Sequence, residues 1–111
     1  LWEFPGGKIE QGEDWKSAIE RELLEELALK VNDHGSLLLS VRDELANAEI
    51  YFFNVTTDGE PILREHSDCL WATPAVAQEL DLAPTDRRFV QAVLSGRLRS
   101  EGLNVGNASP F

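Results

Sequence analysis

Gly6-Gly7-Lys8-Ile9-Glu10-Gln11-Gly12-Glu13-Asp14 leads directly into Trp15-Lys16-Ser17-Ala18-Ile19-Glu20-Arg21-Glu22-Leu23-Leu24-Glu25-Glu26-Leu27-Ala28-Leu29. The first run is a glycine-rich loop and the second reads as a helix over Trp15–Leu27, with Asp14 as its N-cap and an acidic start that suits the positive end of the helix dipole. With Glu22 at zero on a wheel of about 100° per residue, Glu26 falls near +40° and Glu25 near −60°. Ile19, Leu23 and Leu27 fall at about +60°, +100° and +140°. The three carboxylates therefore border the apolar stripe at the rim of the core. Like charges at these spacings cost roughly 0.2–0.5 kcal/mol per pair on an exposed helix, and desolvation raises that cost. A hard divalent cation would offset it, since Mg²⁺ and Mn²⁺ prefer oxygen ligands. Arg21 is placed to pair with Glu25 one turn on or with the upstream Glu13. The plain alternative is a solvated acidic face, as on many Glu-rich helices. The loop argues for more, because Gly6, Gly7 and Gly12 let backbone groups approach a metal or phosphate without a Cβ in the way.

Outward from this stretch, the whole chain sets limits. Its 111 residues suit one domain with a single core, and 42% hydrophobic residues are too many for a disordered acidic chain. A net charge of −10 argues against a nucleic-acid polymer held along a basic groove, but an anionic small molecule stays possible if a cation supplies positive charge. Eight of the 20 acidic residues lie between Glu3 and Glu26. One cysteine, Cys69, excludes an internal disulfide and a multi-cysteine zinc site. No apolar run approaches the ~18 residues of a membrane span, and there is no signal-peptide pattern. A reducing cytoplasm is the default expectation. The chain has no Met and opens in mid-pattern at Leu1-Trp2-Glu3-Phe4, so it reads as a fragment.

Leu1–Phe4, stopped by Pro5-Gly6-Gly7, reads as the end of a strand. Ser36–Val41 and Glu49–Val55 read as strands, Thr57-Asp58-Gly59 as a turn and Cys69–Ala72 as a short strand. Thr73 and Pro74 start a helix that runs to near Leu80, and Thr85 caps a last helix from Asp86 to about Ser95, closed by Gly96. Arg97–Phe111 reads as a loose tail. His34, in Asn32-Asp33-His34-Gly35, reads as a turn residue, and Cys69 as a buried, inert thiol. Mixed strands with helices on both sides predict an α/β layered domain.

Gly7, Glu13, Arg21-Glu22-Leu23, Glu25-Glu26 and Ala28-Leu29 stand at the spacings of the Nudix box, a pattern of 23 residues with one departure. The lead-in Trp2-Glu3-Phe4-Pro5-Gly6-Gly7-Lys8-Ile9-Glu10 resembles the MutT-like branch. The resemblance implies a Nudix α/β/α sandwich with a mixed sheet over residues 1–96, lacking an N-terminal strand region, followed by a tail at 97–111. It implies hydrolysis of a nucleoside diphosphate linked to a further group. In the MutT-like case a nucleoside triphosphate gives the monophosphate and pyrophosphate, a reaction suited to nucleotide-pool sanitisation. By position, Glu22, Glu25 and Glu26 are expected to ligate Mg²⁺ or Mn²⁺, with the Gly6 carbonyl contributing. Glu22 is the expected general base, and which glutamate does this varies across the family. Glu13 and Arg21 are expected to pair and hold loop to helix. Arg64-Glu65, with Trp71 six residues beyond the acid, resembles the loop that supplies a further metal carboxylate, Glu65; an ordinary loop acid is the alternative. Leu82-Ala83-Pro84-Thr85-Asp86 resembles the segment that reads the nucleobase edge through Asp86, unless Asp86 only serves its helix N-terminus. Phe4 is carried as a substrate-binding candidate, with Trp2, Tyr51 and Phe53 as other possible stacking surfaces, although core packing competes at each. The departure is Ala28, where the family has Gly at the helix end. Either Ala28 adopts a left-handed conformation at a cost of roughly 1 kcal/mol, or the helix runs on. A nucleotide sugar, a dinucleotide or a pterin triphosphate remains an alternative substrate. A non-catalytic nucleotide-binding module and a plain acidic interaction domain remain alternative functions.

Overall fold

A computed structural model describes residues 1–63 and 68–96 together with the backbone of 109–110. Helix α1 spans Trp15–Leu27 as expected from its apolar stripe and cap. It is followed by a long antiparallel hairpin of β1 (Lys30–Asp43) and β2 (Ala48–Asp58). A short strand β3 (Trp71–Ala72), helices α2 (Pro74–Ala77) and α3 (Pro84–Leu94), and a short strand β4 (Ser109–Pro110) complete the order.

The hairpin lies between the helices. Strand side chains alternate between faces, and here Phe53 stacks on Trp15 of α1 while Phe52 stacks on Phe89 of α3. Val55 and Val31 join Leu23, Leu27 and Leu29 in the core beneath α1. Ile50, Phe52 and Val41 join Phe89 and Val90 beneath α3. This is the expected α/β/α layering. Among the described residues, no helix is long and apolar enough to cross a membrane.

Several boundaries differ from the sequence reading. Both hairpin strands run longer than Ser36–Val41 and Glu49–Val55, because polar residues are absorbed as bulges rather than breaking the ladder. The register shifts between Val31 and Asp33, between His34 and Leu37, and between Leu37 and Leu39. His34 is therefore a strand residue paired with Val55, not a turn residue. At the second bulge Ser36 N–H donates to the Asn54 side chain, which occupies the space a Gly35 Cβ would need. Thr57 and Asp58 end β2 instead of forming the turn, and Gly59 leaves the strand with φ of 88°.

Leu1–Phe4 makes a single parallel bridge, Trp2 with Leu82, rather than a strand. Trp2 N–H donates to Asp81 O at 2.7 Å and Trp2 O accepts from Ala83 N–H at 2.9 Å. That bridge seats the loop leading to Gly6 beside the start of α3. Cys69 precedes β3 and is half-buried against the α1 core. Thr73 caps α2 as expected, through Val76 N–H, but the helix stops at Ala77. The cap of α3 is Ala83 without a side-chain bond, not Thr85; Pro84 at the first position needs no N–H partner there. Within the segment read as a tail, Ser109–Pro110 pairs antiparallel with β3.

Candidate metal and nucleotide site

Helix α1 begins where Asp14 accepts a hydrogen bond from Ser17 N–H at 2.8 Å. That backbone bond holds the Asp14 carboxyl below its ordinary range. The helix ends where Ala28 turns left-handed, with φ of 55° and its N–H donating to Leu24 O at 3.1 Å. The helix does not run on, so the first of the two expectations for Ala28 holds. Between these ends, buried Leu23 and Leu27 fix the rotation of α1 about its axis. Glu22, Glu25 and Glu26 are thereby set along the rim.

Arg21 is the hub of the charge network. Its Nε and Nη2 make a two-pronged contact with the Glu13 carboxylate at 2.8 and 2.9 Å. Nη1 donates to Glu22 Oε1 at 2.7 Å and reaches Glu25 Oε2 at 3.5 Å. Nη2 also donates to Lys8 O at 3.0 Å, and Glu10 Oε1 stands 3.7 Å from Nη1. The expected Glu13–Arg21 pairing is present, and it is much tighter than the contact to Glu25. Forked guanidinium–carboxylate bonds are the strong kind. They pull the Glu13 carboxyl down to about 2, helped by Glu10 N–H, and push the Arg21 guanidinium up. Four carboxylates thus lie within 4 Å of one guanidinium, so among the described residues the cluster is net negative.

The glycine loop lies across two of these acids. Gly6 N–H donates to Glu26 Oε2 at 3.3 Å. A Cβ at Gly7 would overlap the Glu22 carboxylate as Arg21 holds it, so any larger residue there must displace that carboxylate. Glu25 is the most open of the three, its side chain 58% exposed against 16% for Glu22. Among the described residues, no group of three carboxylate, His or Cys side chains is gathered closely enough to enclose a metal ion. The donor set nonetheless fits a hard divalent cation: all oxygen, net negative, with a glycine backbone packed directly against it. Glu65 and its neighbour His66 lie outside the described residues.

Asp86 is the one charged residue buried among those described, at 8% exposed, on the first turn of α3. Its Oδ2 accepts from Phe4 N–H at 3.3 Å. Burial pushes its carboxyl up to about 6 despite that bond. The Phe4 ring packs edge-on against Phe52 and Phe89, at 5.8 and 5.3 Å between centroids. Phe4 and Asp86 are thus brought together, 82 residues apart in the chain. Phe53 is stacked flat on Trp15 at 4.1 Å, and Tyr51 is exposed on β2.

Lys8 and Glu10 are contacts of Arg21 that the sequence reading missed. Both lie inside the loop, but nothing in their spacing distinguishes them from solvent-facing residues. His34 sets its ring edge toward Trp15, with Nε2 3.3 Å from Glu20 Oε1 but not in hydrogen-bond geometry.

The model of the NUDIX domain matches residues 1–93. The chain is 37% identical over 98 residues to the "Putative 8-oxo-dGTP diphosphatase 2" of Mycobacterium tuberculosis (strain ATCC 25618 / H37Rv), covering 80% of this chain and 65% of that protein. It is 33% identical over 100 residues to the CTP pyrophosphohydrolase of Escherichia coli (strain K12), covering 87% of this chain and 73% of that protein. The solution structure of the E. coli ORF135 protein superposes with a TM-score of 0.72 at 31% identity, over 86% of this chain and 70% of that one. The chain therefore spans just under two thirds of the length of the mycobacterial relative.

Proposed function

Because the chain belongs to the Nudix family, we propose that it is a MutT-like pyrophosphohydrolase, converting a nucleoside triphosphate to the monophosphate and pyrophosphate with Mg²⁺ or Mn²⁺. The observation that carries this reading is the net-negative carboxylate cluster around Arg21, packed against the Gly6–Gly7 backbone. A purely solvated acidic face would not need a glycine pressed against Glu22 or a forked clamp from helix to loop. The names of the mycobacterial and E. coli relatives, 8-oxo-dGTP diphosphatase and CTP pyrophosphohydrolase, support a triphosphate over a nucleotide sugar, dinucleotide or pterin triphosphate. A nucleotide needs no partner macromolecule, and we place the protein in the cytoplasm.

In this reading Glu22, Glu25, Glu26 and Glu65, with the Gly6 carbonyl, hold the cation. Bound there, it would neutralise phosphate charge and polarise the water that attacks. Arg21 orients Glu22 through Oε1, leaving Oε2 to accept the proton of that water. The water oxygen bonds to phosphorus as the bridging P–O bond breaks in line, giving the monophosphate and pyrophosphate. Glu13 and Lys8 O hold Arg21 in place, so the loop and the helix keep their register. Phe4 and Asp86 stand at the nucleoside end. Asp86 Oδ2 is committed to Phe4 N–H, so Oδ1 is the atom that accepts from a base amino group.

The test is hydrolysis, with and without Mg²⁺ or Mn²⁺, across canonical and oxidised nucleoside triphosphates, nucleotide sugars and dinucleotides. Metal-dependent release of pyrophosphate from a triphosphate is expected. Glu25→Gln and Glu26→Gln should each lower the rate by orders of magnitude while the fold is retained. Wild-type rates in either variant would sink the ligand assignment. Metal binding without turnover of any compound would favour a non-catalytic nucleotide-binding module instead. A melting temperature that ignores Mg²⁺ would favour a plain acidic domain.

A further inference from the structure

We infer that Asp86 is a positioning residue for the metal end of the site: its bond to Phe4 N–H anchors the segment that lays Gly6 and Gly7 on Glu26 and Glu22. The inference rests on the carboxylate assignment made above. The chain from Phe4 to Gly7 is short and is pinned at both ends. At one end, Phe4 N–H donates to buried Asp86, the Phe4 ring packs edge-on against the stacked pair Phe52 and Phe89, and Trp2 is bridged to Leu82. At the other, Gly6 N–H donates to Glu26 and the Gly7 backbone abuts the Glu22 carboxylate. Only Pro5 separates the two anchors, and its ring fixes φ and removes a rotation that would let one end move without the other. Asp86 and Phe89 share one face of α3, three residues apart, so one helix supplies both the acceptor and an aromatic wall for Phe4.

A carboxylate placed only to cap a helix would sit at its surface, bonded to its own helix's N–H groups. Asp86 is buried and bonded to a segment from the other end of the chain. The consequence is a mechanical link between the nucleoside end and the cation end. Losing the Phe4 anchor lets the Gly6–Gly7 backbone lift from the carboxylates.

The test combines amide hydrogen exchange with Mn²⁺ binding, using Mn²⁺ alone as the probe, on wild type, Asp86→Ala and Asp86→Asn. In wild type the Phe4 and Gly6 amides are protected. In Asp86→Ala both lose protection, Mn²⁺ affinity falls by about tenfold, as for other residues that orient metal ligands, and kcat falls in addition to the rise in KM that follows from losing the Oδ1 contact to the base. Asp86→Asn keeps an acceptor oxygen and recovers the Gly6 protection and most of the Mn²⁺ affinity. Unchanged Mn²⁺ affinity and Gly6 protection in a folded Asp86→Ala, with only the ranking of nucleobases altered, would overturn the inference. If Asp86→Ala does not fold, an unprotected Phe4 amide in wild type overturns it equally. A wild-type protein that hydrolyses no nucleotide counts against the pyrophosphohydrolase reading, while exchange and Mn²⁺ binding still decide the anchoring role.

Discussion

Replacing Ala28 with glycine should make the protein more stable. Ala28 closes α1 with φ of 55°, its N–H donating to Leu24 O while Leu29 N–H donates to Leu23 O, in a left-handed end of the kind that closes many helices. An L-residue in this conformation carries roughly 1–2 kcal/mol of strain between its Cβ and the following carbonyl, which glycine does not. Two terms work against the substitution. The half-buried Ala28 methyl loses a few tenths of about 0.8 kcal/mol of burial. Glycine also gives the unfolded chain more freedom, at about 0.4–1 kcal/mol. The balance is a gain of about 0.5 kcal/mol, and up to about 1 kcal/mol if the methyl contributes little. For a chain of 111 residues this corresponds to a rise in Tm of about 2–4 °C. Thermal melts of wild type, Ala28→Gly and Ala28→Asn, at one pH and one salt concentration, measure it. Asparagine tolerates the left-handed region better than alanine, so its Tm should fall between the other two. The neighbouring Leu29 is fully buried against Leu23 and Leu27, which keeps the helix from simply extending in either variant. A Tm for Ala28→Gly equal to or below that of wild type, with unchanged helical content by circular dichroism, would refute the strain argument.

Gly7→Ala should lower kcat/KM by at least about tenfold, because its Cβ must push the Glu22 carboxylate or the loop aside; steady-state kinetics alongside a melt separates this from unfolding. Arg21→Lys should cost about 10–100-fold in activity, since a single ammonium cannot keep the forked contact to Glu13 together with Glu22 and Lys8 O. Asp86→Asn should raise Tm more at pH 8 than at pH 5. The native Asp86 carboxyl, raised from 3.8 to about 6, keeps a proton across that window which the unfolded chain has released, so wild-type stability falls as pH rises through it. Equal Tm differences at both pH values would contradict the burial of a charged Asp86.

Helix α1 was readable because what defines it is local, with only its end at Ala28 left open between a left-handed turn and a longer helix. Asp14 caps it, Leu23 and Leu27 recur at helical spacing, and the break comes at Ala28. Its acids were readable as a cluster for the same reason, since wheel positions follow from the period alone. The hairpin ends were not. Asn32, Gly35 and Ser36 carry turn propensity, and only the pairing partner decides whether such residues break a strand or bulge out of it. Here Asn54 accepts the Ser36 N–H across the ladder, a contact between residues 18 apart in the chain.

The offset for the acidic cluster shows the same division. Repulsion among Glu22, Glu25 and Glu26 is legible in the helix, and it calls for a counter-charge. Periodicity could not say how much of that charge the protein supplies itself. Arg21 supplies one unit, shared among Glu10, Glu13, Glu22 and Glu25. Its best bonds go to Glu13, which lies on the loop and not on the ligand face. The guanidinium therefore does more to fasten the loop than to neutralise the rim. Glu25 reaches Arg21 at 3.5 Å and stays exposed, and Glu26 accepts from the Gly6 backbone amide. Gly6 and Gly7 bring bare backbone against Glu26 and Glu22 on that side of the cluster. A rim of oxygen donors beside glycine backbone, net negative among the described residues, suits a hard divalent cation.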